Sequence, residues 1–595
     1  MDHLFLVSLG PVQDFIAQAR RMRDLWFGSF LLSEISKAAA RAIAEQPGAQ
    51  LIFPALDRGD PALDPCDASL QDGQPAPNVA NKILARVGGD PVAVAKAARA
   101  AARQRLGDFW NKVRAEHSAL LDPAAAAAAE EQIDTLLEFH AVWADCPDDH
   151  AYAGVRESLD RELSARKALR DFSPWPAQRR GALKSSLDGA RETVLRGQEP
   201  RAAVRKGSAW KRLRIGLREE LDAVGLLKRA GGKPEQFVPV PSIGMAGWTE
   251  RARQRCPEQL QALADECRKR ELTRVTRRSA WVEAFPFDAQ VYLRSRWGIY
   301  LDEQSGADRR EALEFGRRFV EPLLKELGEP HPFVACLVAD GDRMGDAINA
   351  LAKEGAARHR DFSRGLSGFA AKARGIVEQE HRGVLVYAGG DDVLAFVAVP
   401  DALSCASRLR EVFAQLMGEI LGDRPGVPRP TLSVGIGIGH VLESLRDLLA
   451  LGREAEREAK GDDRDALAVH LQKRGGQRLL WRERWPDRPV ERLEGDIERL
   501  RSDRLPLTKV HEIGRLLEVL PPSPALLRGE IGRLLARAEP GGGARGIRLA
   551  DVGLDLDGLE GAAAHQAIAR WIDRQLIAAE LLAAGERRES TEAAR

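Results

Sequence analysis

The chain has 595 residues, which at about 100–200 residues per domain predicts roughly three to five domains. Its composition is 44% hydrophobic and 30% charged with a net charge of +1, which is ordinary for a globular protein. No run of about 18 apolar residues occurs, which excludes a membrane span. The six cysteines form no Cys-x-x-Cys pair, which excludes a disulfide framework and an intact cysteine zinc site. The N-terminus lacks a basic segment followed by a cleavage site, so we expect a cytoplasmic protein with no membrane partner.

The first 90 residues predict an α/β unit. Leu4–Leu9 has the apolar pattern of a strand, and Val12–Glu45 has the spacing of a long helix that is broken near Trp26–Ser29. Leu51–Pro54 predicts a second strand. Residues 91–180 are rich in Ala, Arg and Leu at helical spacing, so we expect a helical scaffold there without chemistry of its own.

A basic stretch follows between Arg156 and Lys233, where Lys and Arg outnumber Asp and Glu two to one. A local excess of positive charge of this kind suits a phosphate backbone. The alternative is an ordinary solvated helical face.

Carboxylates gather at the ends of two predicted strands farther along the chain. Phe333–Val338 predicts a strand that leads into Asp340-Gly341-Asp342 and then a helix, an arrangement whose free backbone N–H groups suit phosphate. Val384–Tyr387 and Val393–Val399 predict a hairpin closed by Gly389-Gly390-Asp391-Asp392, because Gly accepts the positive φ of a tight turn.

If these two strands are neighbours, the four carboxylates of Asp340, Asp342, Asp391 and Asp392 meet. Carboxylate oxygens suit Mg²⁺, which keeps waters and substrate phosphates as its other ligands. Two such ions about 3.5–4 Å apart support nucleotidyl transfer. A solvated turn is the alternative interpretation of the hairpin tip.

An internal repeat links the two halves of the chain. Val7–Ile16 aligns with Ala339–Ile348 as strand, turn and helix, with Ser8 opposite Asp340 and Gly10 opposite Asp342. The pattern indicates a duplicated unit whose first copy lacks the metal-binding carboxylates.

The motifs together resemble the large subunit of type III CRISPR–Cas effector complexes, of the RAMP-module (Cmr, III-B) subtype. The resemblance rests on AGGDD between two strands, on the preceding LVADGDRMG, on TLSVGIGIG from Thr431, on REAEREAK from Arg453 and on HLQKRGG from His470. It extends over blocks from residue 1 to about 480.

This resemblance implies an α/β (α+β) fold with two ferredoxin-like palm domains, similar to nucleotide cyclases and GGDEF proteins, and with helical domains between and after them. The expected domains are residues 1–180, 181–330, 331–480 and 481–595: a degenerate first palm with a helical insertion, a basic helical subdomain with a remnant zinc module, the active second palm and a C-terminal helical domain.

The resemblance also implies the site residues. Asp340 and Asp391 would hold two Mg²⁺ or Mn²⁺ ions with help from Asp342 and Asp392, and Lys460 would neutralise the ATP triphosphate. The expected nucleotide-binding residues are Gly341, Asp342, Gly389, Gly390, Ser433 and Lys473.

The implied function is the synthesis of oligoadenylate second messengers from ATP, switched on by guide RNA paired with a target RNA. The implied partners are these RNAs, a guide-handle-binding subunit and small filament subunits. Many relatives carry an HD nuclease domain; no His-Asp dipeptide occurs here, so we expect that module to be absent.

The two Cys-x-x-Cys pairs of the relatives' zinc module also have no counterpart here. The four matching positions are Ser185, Asp188, Asp222 and Gly225. Ser and Gly do not bind zinc, and two Asp cannot close a tetrahedral site, so we expect no zinc.

Three alternatives stay open. The palm is a catalytically silent scaffold in the same complex, or it transfers AMP from ATP to another small molecule, or the chain is a free-standing dinucleotide cyclase. The helical mass of residues 91–330 argues against the last.

Overall fold

The structure, a computed structural model, describes residues 2–585 except 67–78, 170–180, 198–207, 234–235, 278, 423, 538–546 and 560. In this part of the chain, helices surround two separate β-sheets. The strands are β1 Asp2–Gly10, β2 Gln50–Phe53, β3 Lys82–Gly88, β4 Glu138–Asp145, β5 Phe333–Asp342, β6 Gly383–Gly389, β7 Asp392–Ala398, β8 Thr431–His440, β9 Ala466–Gln472 and β10 Arg478–Arg484.

The helices divide into those around the first sheet, those between the sheets and those around and after the second sheet. The first group is α1 Gln13–Ala17, α2 Met22–Ala44, α3 Pro91–Glu116, α4 Ala126–Asp134 and α5 Asp149–Ala168. The second group is α6 Ser208–Arg212, α7 Ala223–Ala230, α8 Val240–Gly244, α9 Ala246–Arg255, α10 Pro257–Lys269, α11 Ala280–Glu283, α12 Trp297–Ser305, α13 Arg309–Phe315 and α14 Glu321–Leu327. The third group is α15 Met344–Ala352, α16 Ala356–Gly375, α17 Ala402–Leu421, α18 Leu445–Lys460, α19 Pro489–Arg501, α20 Leu507–Val519, α21 Pro524–Ala536 and α22 Gly561–Gly585.

The first sheet has the strand order β2-β3-β1-β4 with antiparallel neighbours, which is the ferredoxin-like arrangement. β1 is apolar on both faces because helices cover both. Phe5 and Val7 pack into the large core with α2 and α3, whereas Leu4 and Leu6 pack against Tyr152 of α5.

The second sheet repeats this order in β8-β5-β7-β6 and adds β9 and β10 beyond β8. β8 and β9 are parallel, and α18 makes the crossover between them. Ala335, Leu337 and Ala339 of β5 face α16 and α17, while Cys336 on the opposite face meets α18. The predicted fold class, two ferredoxin-like palms with helical regions, is therefore confirmed; the predicted domain boundaries stay predictions.

Two elements differ from the sequence prediction. The helix that begins near residue 12 breaks at residues 18–21, not near Trp26–Ser29, where α2 continues uninterrupted and buries Trp26 and Phe27. The region predicted to be wholly helical contains β4, whose register with β1 runs from His3–Asp145 to Gly10–Glu138.

The helices of the described residues include none with the length and apolar character that crossing a bilayer requires.

Candidate active site

The hairpin between β6 and β7 presents two adjacent carboxylates at the edge of the second sheet. Gly389 pairs with Asp392, which leaves Gly390 and Asp391 as a two-residue turn. Gly390 has a φ of +71°, a left-handed conformation that favours glycine, and no atom lies within 4 Å of where its Cβ would be. The tip is therefore a tight turn, as predicted.

The carboxylates of β5 and of the hairpin meet because β5 lies between β7 and β8. Ala339 pairs with Val393 on one side and with Val434 on the other. One carboxylate oxygen from each of Asp340, Asp391 and Asp392 lies within 4.8 Å of the other two. Among the described residues, these three form the only group of three or more potential metal ligands.

Gly341 makes room for the hairpin tip. A Cβ at this position would lie 2.7 Å from Oδ2 and 2.8 Å from Cβ of Asp391. The backbone N–H of Gly341 also donates a hydrogen bond to the Asp391 carboxylate, which favours its charged form. Gly341 thus leaves space for the Asp391 side chain and binds its carboxylate through a backbone hydrogen bond.

Burial disfavours negative charge on the two hairpin aspartates. Burial raises the pKa of Asp391 to about 6. Burial, with the charges of Asp391 and Glu456, raises the pKa of Asp392 to about 7. Crowded carboxylates of this kind could hold a cation, because a bound cation would relieve the repulsion between them.

Lys460 reaches this group from α18. Its Nζ forms an ion pair with Asp340 and lies 3.5 Å from Glu456, one helical turn earlier. Burial lowers the pKa of Lys460, and the charge of Arg464 lowers it further. The structure therefore brings together the four residues predicted to be catalytic: Asp340, Asp391, Asp392 and Lys460.

Alternating glycines on β8 set the position of α18. A Cβ on Gly435 would lie 2.0 Å from the backbone nitrogen of Glu456, and one on Gly437 would lie 2.3 Å from that of Gly452. Because these glycines have no side chain, the backbone of α18 packs directly on the sheet, and its last residue, Lys460, contacts Asp340. The sequence analysis missed this role, although the signal is visible in Gly-Ile-Gly-Ile-Gly.

Asp342, which was expected to help hold the metals directly or through other residues, lies outside the group of three aspartates. Its side chain is buried at 1% exposure and accepts hydrogen bonds from Thr431 at 2.8 Å and from the Asp465 backbone N–H at 3.2 Å. Ser433, which was predicted to bind nucleotide, donates to the same carboxylate at 2.9 Å and is fully buried. A buried carboxylate requires such donors, so both residues brace the end of β5 from within.

Lys473 is also far from the site. The parallel register pairs Val434 with Leu467, so residue 473 lies roughly 20 Å farther along, past the opposite end of the sheet. There its Nζ contacts Glu580 of α22 at 3.1 Å. Lys473 therefore docks the last helix onto the second palm.

Gly389 faces a protein side chain. The hydroxyl of Tyr387 lies 1.7 Å from where a Cβ on Gly389 would be. The Tyr387 ring thus occupies the space that a side chain at residue 389 would need. The turn is open to a ligand over Gly390.

Three of the four positions of the expected zinc module, Ser185, Asp222 and Gly225, form the N-terminal cap of a helix. Asp222 caps α7 by accepting hydrogen bonds from the Gly225 backbone N–H at 2.9 Å and from Ser185 at 3.1 Å. Asp188 accepts from the Ala190 backbone N–H at 2.9 Å. Burial raises the pKa of Asp222, and the nearby charge of Asp188 raises it further.

Part of the basic stretch lies outside the described residues, namely 170–180 and 198–207. Within the described part, Arg214 pairs with Asp288 at 3.1 Å and Arg229 is fully buried between Asp24 and Glu219. Several of these basic residues therefore stabilise the subdomain, in addition to any contact with nucleic acid.

Comparison with known protein families identifies two regions. Residues 333–468 match the family described as Cas10/Cmr2, second palm domain, and residues 4–115 match CRISPR-associated protein Cmr2, N-terminal. The first region contains the three aspartates and Lys460, and the second contains most of the first sheet.

A curated relative and two solved structures agree with this result. The Cmr subunit Cmr2 of Pyrococcus furiosus is 31% identical over 218 residues, which span 32% of this chain and 24% of that relative. The type III-B Cmr-β structure in the apo state has a TM-score of 0.65 at 13% identity, covering 92% of this chain and 78% of the other. The same complex bound to cognate target RNA has a TM-score of 0.63 at 13% identity, with 92% and 79% covered.

The structural matches are at low identity and show the fold, while the family models and the curated relative match parts of the chain. The chain is thus similar to Cmr2 proteins over two regions, residues 4–115 and 333–468, which make up less than half of its length.

Proposed function

We propose that the second palm is a nucleotidyltransferase that joins ATP into short oligoadenylates, linear or cyclic. The observation that carries this proposal is the convergence of Asp340, Asp391 and Asp392 within 4.8 Å, with Lys460 on the same group. Three carboxylates and one lysine at a sheet edge suit a triphosphate that arrives with divalent cations.

The donor set fits two Mg²⁺ or Mn²⁺ ions. All three side chains offer hard oxygen ligands, and the pKa values of Asp391 and Asp392 are raised in the absence of a cation. When bound, such ions activate an attacking hydroxyl and stabilise leaving pyrophosphate.

The chain's own residues position the reactants. Lys460 exchanges Asp340 for the triphosphate and neutralises its charge, and the open turn at Gly390 gives the substrate access to the hairpin. Asp342 and Ser433 keep the end of β5 rigid by their mutual hydrogen bond. Because this chemistry depends on positioning and electrostatics, it requires no acid–base histidine.

We further infer that the chain is the large subunit of an RNA-guided type III-B effector complex. The guide and target RNAs, a guide-handle-binding subunit and small filament subunits are the partners that this function requires. The first palm has Ser8 and Gly10 where the second has Asp340 and Asp342, so it would support the complex without holding ions of its own.

The test is mass spectrometry of products from the assembled complex, given ATP, Mn²⁺ and target RNA. Asp391→Ala with Asp392→Ala should abolish the product, whereas the exposed acidic pair on α12, Asp302→Ala with Glu303→Ala, should leave it unchanged.

The same assay resolves the role of the two lysines. Lys460→Ala should lower the rate by roughly 10²-fold, since one electrostatic contact to developing charge is removed. Lys473→Ala should have no effect, because that lysine contacts Glu580 at the other end of the sheet. A wild-type complex that makes no product with any nucleotide or acceptor would leave the scaffold interpretation standing.

A further inference from the structure

A cavity of about 230 Å³ lies at the end of the second palm opposite the aspartates. The start of α2, the segment from Phe237 to Pro241 and the turn between β8 and α18 form its wall. β5 and β8 pair Asp340 with Ser433 and Phe333 with His440, so Val441 in the cavity wall lies roughly 25 Å from the aspartates. The cavity is therefore separate from the candidate active site.

Arginines dominate the charge of this cavity. Its wall includes Arg20, Arg21, Arg23 and Arg214, whereas the described acidic residues in the wall are Asp288 and Glu443. Asp288 already accepts hydrogen bonds from Arg214 at 3.1 Å and from Gln290 at 2.7 Å. The described lining thus carries more positive than negative charge.

The two arginines at the start of α2 have only neutral hydrogen-bond partners among the described residues. Arg23 is buried and donates to the backbone carbonyls of Arg212 and Leu213. Arg21 is half-buried and donates to the backbone carbonyl of Arg214 at 2.7 Å. Glu219 and Glu303 attract Arg21, and Asp24 attracts Arg23, which offsets part of this positive charge. Buried charges are unfavourable, so an anion in the cavity would stabilise the two arginines further.

The nearby carboxylates are committed to another arginine. Asp24 accepts two hydrogen bonds from Arg229, at 2.6 and 2.9 Å, and Glu219 accepts a third at 2.8 Å. Arg229 therefore offsets one of these two negative charges, which leaves one to act on the start of α2.

The electrostatics agree with this geometry. Burial lowers the pKa of Arg23 well below its ordinary value, and the charges of Arg229 and Arg21 lower it further. Burial and the charges of Arg229 and Arg214 lower the pKa of Arg21 to about 10. Burial is the largest cause of both shifts, and the neighbouring arginine charges add to it.

We propose that this cavity binds the phosphate group of a mononucleotide. Guanidinium groups at the start of α2 would form charge-assisted hydrogen bonds to the phosphate oxygens. Phe237, Pro239 and Val240 supply an apolar wall for a base. The cavity volume of about 230 Å³ lies just below the range of about 300–1,000 Å³ for small-molecule sites, so the cavity holds at most one nucleotide.

The test is calorimetric titration of the full chain with AMP, inorganic phosphate and adenosine, in EDTA. We expect one AMP per chain, weaker binding of phosphate and no binding of adenosine. Arg20→Gln with Arg21→Gln should weaken AMP binding about tenfold or more, the scale of a lost hydrogen bond to a charged group. The matched control is Arg99→Gln with Arg103→Gln on α3, which removes the same charge from an exposed helix face and should not change the affinity.

Three outcomes would overturn the proposal: no AMP binding, equal binding of adenosine, or equal loss in the α3 control. If the double variant melts at a lower temperature than wild type, Arg20→Gln alone decides, because that side chain is exposed at the rim. AMP affinity should survive Asp391→Ala with Asp392→Ala; its loss there would place AMP in the palm and refute this second site while leaving the proposed function intact.

Discussion

At the scale of single residues, the site depends on glycines, which have no side chain, as much as on its carboxylates. Gly435 and Gly437 let α18 lie directly on β8, and this contact brings Lys460 to Asp340. Gly341 admits Asp391 in the same way. At these three glycines the backbone lies in direct contact with a neighbouring element, and a methyl group added to any of them would separate the two.

Gly435→Ala should destabilise the chain by about 1–3 kcal/mol, the usual cost of overpacking, because its Cβ would lie 2.0 Å from the Glu456 backbone nitrogen. Urea unfolding measures the change. The control is Gly368→Ala in α16, where no atom lies within 4 Å of the new Cβ and the gain in helix propensity should raise stability by up to about 1 kcal/mol. Equal behaviour of the two variants would refute the packing argument.

The sequence predicted the four acidic and basic groups of the site but not the direction of every side chain. Asp340 and Asp342 stand two residues apart in the strand, and nothing in their spacing distinguishes a metal ligand from a carboxylate buried against Thr431 and Ser433. The position of Lys473 could not be predicted for a different reason: it depends on the parallel pairing of β8 with β9, which a local motif does not encode.

At the scale of elements, α5 of the first palm packs against α16 of the second. Tyr152 and His359 share a buried hydrogen bond of 2.7 Å, and Arg156 of α5 bonds to Asn349 of α15. Arg360 of α16 donates to the Leu51 backbone carbonyl of the first sheet at 2.9 Å. These polar contacts fix the orientation of one palm on the other.

Acid should weaken this contact. Burial, with the charges of Arg156 and Lys82, lowers the pKa of His359 from 6.5 to about 4 against a smaller opposing effect of Asp160. At a pH between these two values, the unfolded chain binds a proton at this histidine and the folded chain does not. The free energy of unfolding therefore falls as the pH drops from 7 to 5, by about 2 kcal/mol from this group.

The measurement is the unfolding free energy at pH 7 and pH 5. His359→Asn keeps a hydrogen-bond partner for Tyr152 and should lose that part of the pH dependence. His511→Asn, at an exposed position on α20, should retain it. If His359→Asn and wild type lose the same stability on acidification, the histidine is not buried as described.

Helices and strands could be predicted from the sequence where a local pattern of apolar residues determines them. β5 and the two hairpin strands of the second palm have strong apolar runs and were predicted, whereas β9 and β10 were not. β4 was missed because its side chains are only half-buried, so its sequence lacks a continuous apolar run. β4 is a strand because it pairs with β1 in the folded chain, and the intrinsic β-propensity of its residues does not predict that pairing.

At the scale of the whole molecule, the chain contains two palms of identical strand order and unequal chemistry. β2-β3-β1-β4 matches β6-β7-β5-β8, which supports the internal repeat seen in the sequence. Ser8 of β1 is buried at 2% exposure, at the position that Asp340 takes in β5. In our proposal the second palm alone therefore holds the metal ions.

Binding of Mn²⁺ to the purified chain, followed by electron paramagnetic resonance, tests this central claim most directly. Asp340→Asn on β5 and Asp391→Asn with Asp392→Asn on the hairpin should each abolish the binding, because one cluster spans both elements. Asp302→Asn with Glu303→Gln on α12 should leave it unchanged. Retention of full Mn²⁺ binding by either site variant would contradict the account.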